Sequence, residues 1–173
     1  IPGGRPDFKE DDIRLADWYT HELKRLDVPV ELGREMTKED VLKAGYDAVI
    51  IATGSVPKKL SFGDEAHTVT AAEVLNNEKE CGEKVVVVGG GLVGCETALW
   101  LAEQGKQVTI LEAMDQILAV NGPLCHANKE MLERLVPYRG VQVITKARVQ
   151  GFKDGIVNVE IDGRIENYAC DTV

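Results

Sequence analysis

The stretch "KVVVVGGGLVGCETALWLAEQGKQVTILE" (residues 84–112) decides the fold. Polar Lys84 precedes four consecutive valines, and a glycine-rich step follows at Gly89, Gly90, Gly91 and Gly94. Ala98 and Leu101 then recur at helical spacing, Gly105 turns the chain, and Val108 and Ile110 alternate before Glu112. A β-branched run, a tight glycine step, a helical period and a period-two run predict strand, turn, helix and strand. That order is the βαβ unit of an α/β fold with parallel strands. Val86 and Val88 are assigned to inner positions of the first strand, and Ala98 and Leu101 to the helix face that meets the sheet.

Gly89, Gly91 and Gly94 form G-x-G-x-x-G, with an acid at Glu112, 23 residues after Gly89. In this pattern the first glycine permits the sharp turn. The second lets backbone approach a pyrophosphate, and the third lets helix pack closely on strand. The helix starting near Leu92 offers backbone N–H groups and a partial positive charge to phosphates, so Leu92 and Val93 contribute amides rather than side chains. The expected ligand-contacting set is therefore Gly89, Gly90, Gly91, Leu92, Val93, Gly94 and Glu112, and the expected ligand is the ADP half of a dinucleotide. The Glu112 carboxylate can accept hydrogen bonds from both adenine-ribose hydroxyls. A 2′-phosphate there meets like charge, and "EAMDQ" (residues 112–116) supplies no Arg or Lys, which favours NAD(H) over NADP(H). FAD uses the same fingerprint, but the Gly-Gly pair usual after the acid in FAD domains is absent from "EAMDQILAVNGPL". Glu96 is read as lying in the first helical turn, where it either complements the helix dipole or approaches the nicotinamide ribose. Cys95 is read as a packed small residue rather than a thiolate, and Asp115 and Gln116 as neighbours of the adenine.

Outside this unit the pattern is coarser. Ile13, Ala16, Leu23 and Leu26 predict a helix over residues 12–27. "VPVEL" (28–32) reads as a short strand. Thr37 with Asp40, and Thr70 with Glu73, are capping boxes for short helices to about Ala44 and Leu75. "YDAVIIATG" (46–54) reads as a strand buried on both faces. Residues 55–84 read as a loose connection, and 123–136 as a helix. "VQVIT", "ARVQGF", "GIVNVEI" and "RIENYAC" read as a β-meander, with turns at Asp154-Gly155 and Asp162-Gly163.

The 173 residues are 44% hydrophobic and 28% charged, which predicts a packed core rather than a disordered chain. The net charge of −9 and the lack of a basic cluster argue against nucleic acid as a partner. No apolar run approaches the ~20 residues that span a bilayer. The opening "IPGGRPDFKEDD" is not a secretory signal. Cys81, Cys95, Cys125 and Cys170 are widely spaced without C-x-x-C, which fits free thiols in a cytoplasmic protein and no metal site. His21, His67 and His126 have no nucleophile-plus-acid arrangement around them, so no catalytic residue is assigned.

Together with the fingerprint, "YDAVIIATGSVP" (46–57) and the closing "CDTV" resemble two-dinucleotide-domain flavoprotein reductases. The line from "IPGGRPDFKEDD" to "VPVELG" is most similar to NADH:flavin oxidoreductases fused to an old-yellow-enzyme barrel, the group of 2-enoate reductase, 2,4-dienoyl-CoA reductase and trimethylamine dehydrogenase. The resemblance implies an incomplete FAD- or ADP-binding Rossmann-like portion over residues 1–62 and a connecting segment over 63–83. Residues 84–173 would then be an inserted Rossmann-type NAD(H)-binding domain with a β-meander. It places Thr53 and Gly54 near a flavin. It implies hydride passing from NADH to FAD, then through a 4Fe-4S cluster to FMN in a barrel that reduces an activated alkene. Cluster, FMN, barrel and the first FAD fingerprint all lie outside this chain, which is expected to be a fragment, inactive alone and self-associating through its severed domain. A non-catalytic nucleotide-binding or sensor module, a docking part with a degenerate site, and a piece of another two-dinucleotide-domain reductase stay open as alternatives.

Overall fold

The four valines do become a strand, and the fold is arranged around it. The computed structural model describes residues 2–58, 60–119 and 124–173. Two 3-10 turns (Pro2–Gly4 and Asp7–Lys9) lead into α1 (Glu10–Arg25), α2 (Lys38–Ala44) and α3 (Ala71–Leu75). Next come β1 (Lys84–Val88), α4 (Leu92–Glu103), β2 (Gln107–Leu111), α5 (His126–Tyr138) and β3 (Gln142–Ile144). The chain closes with β4 (Ala147–Lys153), β5 (Ile156–Ile161) and β6 (Arg164–Ala169).

β1, β2 and β3 pair in that order, all parallel. Two successive right-handed crossovers in the same direction put α4 and α5 on one face of this sheet. Alternation along the strands then separates two cores. Val85, Val108 and Ile110 pack with Ala98, Leu99, Leu101, Leu132 and Val136 on the helical side. Val86 and Leu111 pack with Phe152, Val157 and Val159 on the other side, against β4–β6. Burial on both faces is why β1 reads as an unbroken apolar run rather than an alternating one. β4, β5 and β6 form an antiparallel meander. Its two hairpins turn on Asp154-Gly155 and Asp162-Gly163, all four with φ between 48° and 75°, the conformation that type I′ turns require.

The meander has three strands rather than four. "VQVIT" pairs in parallel with β2, Thr109 opposite Gln142 and Leu111 opposite Ile144. Val141 and Val143 pack with the helical core, so the chain leaving α5 completes a second βαβ crossover before the meander starts. The closing residues run beside β1 on the edge that β2 leaves free. Val86 N–H donates to Thr172 O at 2.9 Å, and Val85 and Thr172 form a parallel bridge. The connection before β1 is tied down more firmly than its loose pattern implies. Val69 N–H donates to Val173 O, Val173 N–H to His67 O, and Phe152 N–H to Phe62 O.

Toward the N-terminus the helices form as expected and the strands do not. α2 has its capping box at Thr37 and Asp40 and ends on Gly45 in the left-handed region; α3 has the equivalent box at Thr70 and Glu73. α1 begins two residues earlier than the periodicity implies and buries none of its residues. Residues 28–32 and 46–54 are in no strand, and Ile50 and Ile51 are 91% and 84% exposed. A strand buried on both faces needs neighbours to take its N–H and C=O groups. Among the described residues no strand lies beside 46–54, so its apolar sequence is left facing outward.

This division has a direct test. Leu99→Ala, in the closed helical core, should cost about 2–5 kcal/mol in urea denaturation, whereas Ile50→Ala should change stability by less than about 0.5 kcal/mol. A second measurement concerns α3. The Thr70 backbone N–H, then Lys79, then the Thr70 hydroxyl hold the Glu73 carboxyl down at about 2. Its share of stability is present above the ordinary carboxylate range and disappears as pH falls through 2. An NMR titration of Glu73 should have its midpoint there.

Candidate functional site

Each glycine of the fingerprint has a separate physical task. Gly89 leaves β1 at φ 103°, and its N–H still donates to Leu111 O at 2.9 Å, so pairing persists up to the turn. A Cβ at Gly94 would fall far inside van der Waals contact of the Gly89 carbonyl oxygen, so α4 crosses β1 at a distance only glycine allows. Gly91 caps α4 without a side-chain bond, and a Cβ there would meet nothing within 4 Å. The first-turn amides of Leu92, Val93 and Gly94 thus have no side-chain cap, and they lie at the positive end of the helix dipole.

Gly90 is enclosed instead. A Cβ there would lie 2.6 Å from Ile117 Cγ2, and Leu118 N–H donates to Gly90 O at 2.7 Å. The loop after β2 therefore folds back on the turn. Glu112, one residue past β2, accepts the Gly90 N–H at 2.6 Å on one carboxylate oxygen and the Met114 N–H at 2.7 Å on the other. A carboxylate has about four acceptor positions, so this one is fixed in orientation with capacity to spare.

Cys95 is fully buried, and its thiol donates to Gly90 O at 3.4 Å. Burial, then the charges of Glu112 and Glu96, push its pKa up to about 12, so it stays a neutral packed group. Glu96 sits one turn later than the sequence placed it, as the fifth residue of α4. Its carboxylate is held by the Lys9 ammonium at 3.0 and 3.1 Å, from a segment 87 residues away. Neither Glu96 nor Lys9 had a sequence signal for the pairing, because no local spacing encodes it.

A cavity of about 500 Å³ opens beside the turn, between β1, the α4 face of Val93 and Thr97, and the connection through Leu60, Phe62 and Val69. Thr97 is 4% exposed, and its hydroxyl has no hydrogen-bond partner among the described residues. Thr53 and Gly54 are exposed, lie in no helix or strand, and do not line this cavity, which begins at Pro57. The structure therefore brings together Gly89 to Gly94 and Glu112 and leaves Thr53 and Gly54 apart. Among the described residues no cluster of His, Cys, Asp or Glu could hold a metal ion, and no helix is long and apolar enough to cross a membrane.

A family model described as pyridine nucleotide-disulphide oxidoreductase matches residues 19–173. The chain belongs to that family. It is 44% identical over 171 residues to cinnamate reductase of Clostridium sporogenes, covering 92% of this chain and 26% of that protein. It is 42% identical over 112 residues to NADH oxidase of Thermoanaerobacter brockii, 60% of this chain and 17% of that one. A solved 2-naphthoyl-CoA reductase in complex with 2-naphthoyl-CoA superposes with a TM-score of 0.82 at 23% identity, over 99% of this chain and 26% of its own, a likeness of fold. The chain thus spans about a quarter of the cinnamate reductase and of the 2-naphthoyl-CoA reductase. The resemblance to the enoate-reductase group of flavoproteins holds, and the domain is an oxidoreductase nucleotide-binding Rossmann fold.

The separate tasks of the glycines predict separable variants. Gly94→Ala should lower stability by about 1–3 kcal/mol, because the helix must move off the strand. Gly91→Ala, at an ordinary φ of −74° with space for the methyl group, should cost less, about 0.5–1 kcal/mol from the poorer N-cap, in the same denaturation experiment.

Proposed function

We propose that residues 84–173 bind NADH and present it to a flavin held elsewhere in the same polypeptide. One observation carries this reading: the first turn of α4, which no side chain caps, follows a glycine turn whose Gly90 N–H is bonded by an already oriented carboxylate, Glu112. The amides suit a pyrophosphate. The spare acceptor positions of Glu112 suit the two adenine-ribose hydroxyls, and its charge disfavours a 2′-phosphate. The chemistry of a bound nicotinamide–flavin pair is hydride transfer, so the protein's part is to fix position and exclude water, with no acid or base of its own.

In the whole protein, we take residues 1–62 as part of an FAD- or ADP-binding domain, with FMN and a 4Fe-4S cluster outside this chain. The substrate class is an activated alkene such as a 2-enoate or dienoyl-CoA, a reading supported by the similarity to cinnamate reductase. Four free thiols fit a cytoplasmic setting. The exposed apolar residues Leu32, Ile50, Ile51 and Val56 form the surface we assign to the rest of that first domain, and alone they favour self-association. A second reading, a binding or sensor module without flavin, draws on the exposure of Thr53 and Gly54. Those two residues do not line the cavity beside the turn.

Calorimetric titration tests the reading. NADH should bind at least about tenfold tighter than NADPH, and Glu112→Ala should remove most of that preference. Gly91→Ala should weaken both. Tighter binding of NADPH than of NADH would sink the assignment, and flavin uptake by the intact polypeptide separates the reductase from the sensor module.

A further inference from the structure

Two carboxylates flank the glycine turn, and each is held in a different way. Glu112 is held by backbone amides, whereas Glu96 has one strong partner, the Lys9 ammonium. Cβ bonds in a helix tilt toward its N-terminus, and each residue rises about 1.5 Å. The Glu96 carboxylate therefore reaches back along α4 toward the first turn. That puts a negative charge within a Debye length, about 8 Å at physiological salt, of the uncapped first-turn amides. The Cys95 thiol donates to Gly90 O, and burial first, then the charges of Glu112 and Glu96, raises its pKa.

Lys9 is not a casual surface partner. The Lys9 and Glu96 side chains are 23% and 11% exposed, and Lys9 also lies 3.5 Å from Asp12. Partial burial pulls the Lys9 pKa down, but the Glu96 hydrogen bond and the charges of Glu96 and Asp12 outweigh it, so the ammonium ends above the ordinary lysine value. Pro6 and Gly4, just before it, are buried, and Phe8 packs against the helical core, so the segment carrying Lys9 is seated on the domain. The other long-range ion pair on this helix, Arg139 with Glu103, is at the far end of α4.

We propose that Lys9 is a positioning residue for the dinucleotide site: by pairing with Glu96 it cancels a charge that would otherwise repel the pyrophosphate at the N-terminus of α4. This rests on the dinucleotide reading above. It also couples the site to the N-terminal segment, because the compensating cation arrives only when residues 2–9 are seated.

The test is a two-residue cycle on the full chain, with ADP-ribose as the calorimetric probe. ADP-ribose carries the pyrophosphate and adenosine but no nicotinamide, so a contact of Glu96 with that ring does not enter. Lys9→Met should weaken ADP-ribose binding about threefold to tenfold, and less at high salt. Glu96→Gln should bind as well as the unsubstituted chain or tighter, because a cation then remains beside the phosphates. The double variant should return to near the original affinity. A contact serving only to hold the fold would instead make both single variants weak and leave the double variant weak. That outcome, or an unchanged Lys9→Met, overturns the proposal. If Lys9→Met fails to fold by circular dichroism, Glu96→Gln decides alone: a loss of affinity there also overturns it. Absence of ADP-ribose binding to the unsubstituted chain overturns the dinucleotide reading itself, which distinguishes the two failures.

Discussion

The approach of Gly94 to the Gly89 carbonyl is the constraint on which the rest depends. With no side chain between them, α4 lies against β1 closely enough for Ala98, Leu99 and Leu101 to reach Val85, Val108 and Ile110. The same approach fixes where the helix begins. Moving α4 outward by a methyl group would loosen that core and shift the amides of Leu92 and Val93 relative to β1. Packing and ligand geometry are set by one steric fact.

The far side of the sheet completes the arrangement. Val86 and Leu111 are covered by the meander, which packs on the face of β1 and β2 opposite the helices. The closing residues zip onto the free edge of β1, and His67 and Val69 hold Val173 from above. With β1 held at both edges and both faces, Gly89 leaves the sheet at a fixed point. Ile117 and Leu118 close over Gly90 from the loop after β2, and Glu112 is held between. Rigid strands thus carry the turn, and the turn carries the polar atoms.

What was legible in the sequence follows from how local each signal is. The βαβ unit, both capping boxes and both Asp-Gly hairpins are written within a few residues, and all form. The roles of Gly89 and Gly94 were readable because each reflects short-range backbone geometry. The placement of "VQVIT" was not, since a short β-branched run has the same appearance in a parallel sheet and in a meander; only the crossover through α5 decides it. Residues 46–54 mislead for a related reason. Their apolar run encodes a demand for neighbours, and the described residues supply none. Lys9 with Glu96 lay beyond reading altogether, being a contact across 87 positions.

On the proposed dinucleotide reading, the contrast between the two carboxylates accounts for an acidic turn that faces phosphates. An amide that bonds a carboxylate oxygen fixes its direction but leaves the full negative charge in place, which suits a group meant to meet hydroxyls. An ammonium removes the charge from the local field and occupies the oxygens, which suits a group that must not oppose a pyrophosphate. Exchanging the two partners would give a site that repels phosphate at α4 and has no acceptor left for a ribose. On the proposed reading the chain keeps its negative charge at the end of β2, where it would oppose a 2′-phosphate, and cancels it at α4, where a pyrophosphate would sit.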